Sequence, residues 1–216
     1  MRSLISFSEA EKQNIESAVQ QLEKETSGEL VPYFVQKSDD YLESNWFSAT
    51  VFTAFGILLL MASSWLWKLP QGVSFIELMI FLLVMMVVGF LFPFIFPVIR
   101  AHIAGQQRVD ERVFQRATEA FVECGIFNTK SRTGILLFIS ALEHEVVILA
   151  DEGINKKTGE EAWQKIVDEL IVKIKEGAVA TGIVQAIDSC RLLLISHGFN
   201  VDTDGPNQLP DGLIER

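Results

Sequence analysis

The sequence predicts a mixed α/β domain built on one small sheet, with a two-helix transmembrane hairpin inserted in the crossover between its first two strands. Three observations predict it. Two long stretches, 44–67 and 78–99, carry no charge in a chain of 216 residues of which 21% are charged. Three short apolar runs, 30–35, 133–140 and 146–150, read as strands. The other periodic segments repeat apolar residues every three or four positions, as amphipathic helices do.

The elements follow in order. Ser8-Glu9-Ala10-Glu11 is a capping box. It opens a helix with Ile15, Ala18, Val19 and Leu22 on one face, which stops near Ser27-Gly28, where glycine can take the positive φ of a C-cap. Leu30 to Val35 is a strand, and Pro32 inside it predicts an edge strand or one that joins its ladder late. The first span, 46–67, carries Trp46 at one end and Trp65 and Trp67 at the other, as in an interfacial aromatic belt. The second, 77–99, holds Gly89, Pro93 and Pro97, which a membrane helix tolerates. Each reaches the roughly 20 apolar residues that a bilayer crossing requires. The first span lies too far along the chain to be a signal peptide.

After the second span a helix runs from about Ile103 to Cys124, with Val113, Phe114, Ala117, Phe121 and Cys124 at helical spacing, and Gly125 ends it. Thr133 to Ser140 is a continuous apolar run, expected of a strand covered on both faces. Val146 to Ala150 is another, and the gap between them is too short for a parallel crossover, so the pair forms a hairpin. Thr158-Gly159-Glu160-Glu161 is a second capping box, opening a helix with Trp163, Ile166, Val167, Leu170, Ile171 and Ile174 inward. A last helix runs from about Ala178 to His197, and the tail from Asn200 onward reads as irregular. The α/β domain therefore comprises 1–45 and 100–216, interrupted by the hairpin at 46–99.

Charge places the hairpin and narrows its role. One lysine lies in the loop between the spans, whereas Arg100, Arg108, Arg112 and Arg116 follow the second. Basic residues stay on the cytoplasmic side, so both termini are expected in the cytoplasm. The charge-free stretches 44–67 and 78–99 hold no ionisable group, which argues against an ion or proton path. A net charge of −10 excludes nucleic acid as the expected partner. Cys124 and Cys190 fall on apolar helix faces and make no CxxC pair, so a structural zinc site is not expected. No P-loop, dinucleotide fingerprint or HExxH occurs.

The predicted topology gathers polar groups. With the first two strands parallel and the third antiparallel, the starts of the first two and the end of the third share one edge. That edge collects Thr26, Ser27, Gly28 and Glu29, then Ser131, Arg132, Thr133 and Gly134, and finally Asp151, Glu152 and Gly153. It is expected to face the cytosol, away from the bilayer. A carboxylate directly after a buried strand is well held and suits a hard cation such as Ca²⁺ or Mg²⁺. Arg132 and the hydroxyls suit an oxyanion or phosphate. The same residues also make ordinary strand entries and a turn. Glu143-His144-Glu145, in the hairpin turn, invites a metal reading, but no second histidine lies nearby.

Four ordered motifs carry a resemblance. Thr26-Ser27-Gly28-Glu29-Leu30-Val31-Pro32, Ser131-Arg132-Thr133-Gly134-Ile135-Leu136, Val147-Ile148-Leu149-Ala150-Asp151-Glu152-Gly153-Ile154 and Asn207-Gln208-Leu209-Pro210-Asp211 resemble the TPM domain family, in particular its bacterial membrane-inserted branch. The resemblance implies an α/β/α sandwich, often described as phosphatase-like, with divalent metal binding in some members, and a bacterial inner (plasma) membrane location. It marks Asp151, Glu29 and Asp211 as metal-site residues, and Ser27, Arg132, Thr133 and Asn207 as the phosphate or polar edge. This chain departs from the family pattern with His144-Glu145 after the second strand and Glu152 after Asp151, where basic residues are expected. The added acid favours cation over phosphate. Two functions follow as expectations: a cation-binding accessory or adaptor that docks on a membrane-protein partner, or a metal-dependent hydrolase of small phosphate esters.

Overall fold

In the computed structural model, which describes residues 5–66, 74–200 and 209–216, chain contacts separate into two compact units. One comprises Met1–Ser38 with Asp110–Arg216, the other Asp39–Val109. Trp67 and Asn207 lie outside the described residues.

Helix α1 (Glu9–Glu25) starts at the expected capping box, with Ser8 N–H donating to the Glu11 carboxylate at 2.8 Å. It buries Ile15, Val19 and Leu22 completely. Its end differs from expectation. Thr26 is the C-cap in an extended conformation, and its hydroxyl donates to Leu22 O at 2.9 Å. Gly28 serves close packing instead of a left-handed turn, since a Cβ there would stand 2.6 Å from Leu194 Cδ1. The second expected capping box is also absent, because Gly159 occupies the N-cap of α7 (Glu160–Lys175). The Thr158 hydroxyl is spent elsewhere, donating to Ile154 O and accepting from Trp163 Nε1.

The sheet contains β1 (Glu29–Val35), β2 (Gly134–Ser140), β3 (Glu145–Ala150) and β4 (Ile214–Glu215), in the order β3-β2-β1-β4. β1 and β2 are parallel and β2 and β3 form the antiparallel hairpin, as the connection lengths require. β1 is not an edge strand. Glu29 N–H donates to Thr133 O and Val35 O accepts from Ala141 N–H, so odd-numbered residues of β1 bond toward β2. Even-numbered Pro32 faces the other side, ahead of the point where β4 joins at Tyr33, and its missing N–H interrupts no ladder. β4 itself arises from the tail that read as irregular, and two residues are too few to show alternation.

β2 is buried on both faces, and each face has its own cover. Leu30 and Phe34 with Ile135, Leu137 and Ile139 pack with α1, α7 and α8 (Val179–Ser196) in one core cluster. On the opposite face Tyr33 stacks on Phe138, with ring centroids 5.6 Å apart. The Tyr33 hydroxyl receives a 3.0 Å hydrogen bond from Arg116 of α5 (Gln106–Glu123), whose Val113, Ala117 and Ala120 are buried. The unit is an α/β/α sandwich around a small, open, mixed sheet.

The second unit holds α2 (Leu42–Leu66), α3 (Phe75–Ile95) and α4 (Pro97–Ala104). α2 and α3 pack closely at Gly89, where a Cβ would lie 2.9 Å from Ala49 Cα, the small-residue contact usual between membrane helices. Helix α3 breaks at Phe96, because Pro97 has no N–H to offer the Pro93 carbonyl. Arg100 Nε donates to that carbonyl instead, at 3.1 Å. Among the described residues, three helices are long and apolar enough to cross a membrane: Leu42–Trp65, Phe75–Ile95 and Val179–Ser196. The third buries its apolar face in the core just described, whereas the first two carry exposed apolar side chains along their lengths.

Candidate functional site

The predicted edge forms as the connectivity requires. Asp151 N–H donates to Gly134 O at 2.9 Å, Gly153 N–H to Arg132 O at 3.0 Å and Glu29 N–H to Thr133 O at 3.1 Å. The Thr133 hydroxyl donates to Ser27 O at 2.7 Å, tying the entries of β1 and β2 together. Ser27, Glu29, Arg132, Thr133 and Asp151 therefore share one edge, and Asp211 joins them three residues before β4.

At one end the acid is already neutralised. Asp151, 5% exposed, caps the short helix α6 (Glu152–Asn155) by accepting from Glu152 N–H at 2.7 Å. Its other oxygen lies 2.9 Å from Arg132 Nε, off the line of the N–H, so the contact is an ion pair without a hydrogen bond. Arg132 holds a left-handed backbone (φ 56) at this point. Gly153 lets the turn press on that loop, since a Cβ would meet the Ser131 and Arg132 carbonyls at 2.6 Å. Hydrogen bonding to Lys156 keeps the neighbouring Glu152 carboxyl below its usual range.

At the other end three acids, Glu23, Glu29 and Asp211, crowd together. Glu23, in the last turn of α1, has its pKa pushed up to about 8. Burial is the largest cause, followed by the charges of Asp211 and Glu29; a hydrogen bond from Leu30 N–H opposes the shift, and one shared with Asp211 adds to it. One oxygen of Glu23 is buried with no hydrogen-bond partner. Sequence reasoning missed Glu23, although a signal existed: it stands four residues beyond Val19, on the stripe that otherwise buries Ile15 and Val19.

The donor set here is oxygen only, which suits Ca²⁺ or Mg²⁺. As the side chains stand, with Glu23 and Asp211 bonded to each other, no group of three or more His, Cys, Asp or Glu among the described residues is arranged to hold a metal. The turn at 143–145 is structural: Glu143 accepts from Ser140 Oγ at 2.5 Å and from Ser38 N–H at 3.0 Å, fastening the hairpin to the end of β1.

Comparisons with known proteins agree with this architecture. The NMR structure of BA42 protein from the psychrophilic bacterium Bizionia argentinensis is similar to this chain with a TM-score of 0.59, at 18% identity over 100% of both chains. That likeness is one of fold. No curated protein matches the chain. The family model of the TPM domain matches residues 99–191, which include α5, the β2–β3 hairpin, the Arg132–Asp151 pair and α7. Over those residues, somewhat under half of its length, the chain is similar to the TPM domain.

Proposed function

We propose that this chain is a membrane-anchored TPM domain that binds a divalent cation at the acidic end of its sheet edge and serves as an accessory or adaptor to a membrane-protein complex. The observation that carries the reading is Glu23, whose orphaned oxygen lies buried beside Asp211 and Glu29. Glu23, Glu29 and Asp211 are the ligands of choice; Asp151 is engaged by Arg132 and the α6 cap, and completes the edge as a fixed charge. In this reading α2 and α3 cross the inner membrane and both termini lie in the cytoplasm, which an active cytoplasmic reporter fused after Arg216 would support.

Calorimetric titration of the detergent-solubilised full chain tests the site. Ca²⁺ or Mg²⁺ is expected to bind the wild type, with affinity falling at least tenfold in Asp211→Asn. Equal affinity in the variant overturns the assignment. The adaptor role predicts a specific membrane protein co-purifying more strongly with Ca²⁺ than with chelator.

The phosphatase reading draws on Arg132, half exposed at the edge. It is the second choice, because a phosphate would compete with Asp151 for that guanidinium, and no described hydroxyl at the edge pairs with a base. Turnover of a phosphate ester that vanishes in Arg132→Ala would reverse this order.

A further inference from the structure

β3 lies at the edge of the sheet, and the cover of its backbone and of one face is incomplete. Asp151 N–H donates to Gly134 O, so odd-numbered residues of β3 bond toward β2. The N–H and C=O groups of Val146, Ile148 and Ala150 therefore point outward, and no strand pairs with that side among the described residues. Asn155 Nδ2 donates to Ala150 O at 2.6 Å and closes the far end, which leaves Val146 and Ile148. β3 carries no proline, lysine or bulge, the usual guards of an edge. On the face beneath α5, that helix is drawn toward β1 and β4, by Arg116 to Tyr33 and by Arg216 to Glu123. Leu136 and Phe138 of β2 are fully buried there, whereas their cross-strand partners Leu149 and Val147 are partly exposed. At about 100° per residue, Phe114 and Phe121 stand on the flank of α5 opposite Arg116 and Glu123, and so toward β3. Phe114 is 56% exposed. α5 runs back from the end of β1 to the start of β2, so it begins where β3 begins. Asp110, one turn before Phe114, and Glu145, on the same face as Val147, put acid at that end.

We propose that this edge docks an extended segment of the membrane-protein partner, which adds to β3 as a further strand. It lays apolar side chains against Val147, Leu149 and Phe114 and sets a lysine or arginine beside Glu145 and Asp110. The inference rests on the adaptor reading above and names the surface the adaptor uses. A row of open amides and carbonyls is met by another extended backbone, and alternate side chains then select the sequence. The two acids select a basic residue at their end. A second copy of this chain does not fit. The links to the hairpin unit leave after Ser38 and before Asp110, at the end where β3 begins. Two-fold pairing of β3 with its copy turns that copy end for end and brings its links out on the opposite side. Copies anchored in one bilayer by α2 and α3 cannot meet that way.

Hydrogen exchange on the full chain in detergent tests the edge with a defined probe, the peptide acetyl-Val-Thr-Val-Thr-Lys-amide, beside a calorimetric titration of the same sample. The peptide is expected to protect the Val146 and Ile148 amides about tenfold at ten times its Kd, while β2 amides stay unchanged. Its form N-methylated at both threonines, which lacks the main-chain donors, is expected to protect neither. Binding is expected to weaken at least tenfold in Phe114→Ala and in Val147→Lys, which sets a charge beside the edge. No protection, equal protection by the N-methylated form, or protection of the same amides by a concentration-dependent dimer without peptide overturns the proposal. A membrane protein that co-purifies with the wild type separates this surface from the adaptor reading. If Val147→Lys retains that protein at the wild-type level, the surface fails and the adaptor stands; if the wild type retains none, both fall together. Should Val147→Lys not fold, Phe114→Ala, which changes an exposed ring, decides in its place.

Discussion

The two ends of one sheet edge carry acids in opposite electrical settings. Asp151 is almost fully buried, yet a cap N–H and a guanidinium satisfy its charge. Glu23 is less buried, yet it lies against two more carboxylates with one oxygen unpartnered. Burial alone therefore does not set the behaviour of an acid; the sign of its neighbours does. One end is a finished structural joint, and the other sets acid against acid.

The largest way to break this contrast is to remove the joint. Asp151→Ala deletes the α6 cap and leaves Arg132 unpaired, and is expected to cost about 2–4 kcal/mol in chemical denaturation. The next is pH. A carboxyl raised from 4.5 to about 8 on folding leaves the unfolded chain ionised first, so stability falls as pH rises through that window. It is fully present below the unfolded value. With Glu23 only partly buried, the loss is expected at about 1–2 kcal/mol, and Glu23→Gln is expected to abolish it. Thermal denaturation at pH 5 and pH 8.5 checks both, and an equal slope in the variant would remove Glu23 as its source. Ca²⁺ sharpens the same comparison, since it is expected to raise Tm more at pH 8 than at pH 6. The smallest effect belongs to Lys156→Ala, whose ammonium pairs with exposed Glu152 at 2.8 Å, and it is expected to leave the chemical denaturation midpoint nearly unchanged.

Much of the fold was legible. The β2–β3 hairpin followed from a gap too short to cross over, and the shared edge followed from the hairpin. The carboxylate cluster was half legible: Glu29 and Asp211 came from motifs, but Glu23 contradicts a helical stripe and only packing reveals what it meets. β4 escaped because its two residues take their conformation from β1 and carry no period of their own. Pro32 misled because a strand has two hydrogen-bonding sides, and sequence does not tell which side a proline occupies. Composition alone would also count α8 among membrane helices. Periodicity separates them: Thr181, Gln185 and Asp188 give α8 a polar face, whereas α3 beyond Glu77 in its first turn is apolar all round.

The break before Pro97 gives one side chain two separable properties. Arg100 donates through Nε to Pro93 O and through a terminal nitrogen to Asp40 O at 3.3 Å, and its guanidinium lies 4.1 Å from the centre of the Phe94 ring. Its charge is what an orientation rule counts, but its planar fork is what closes the interrupted helix. Arg100→Lys keeps the first and removes the second. It is therefore expected to insert with unchanged orientation while loosening the helix end, so that a membrane signal written in charge and a joint written in shape come apart in a single substitution.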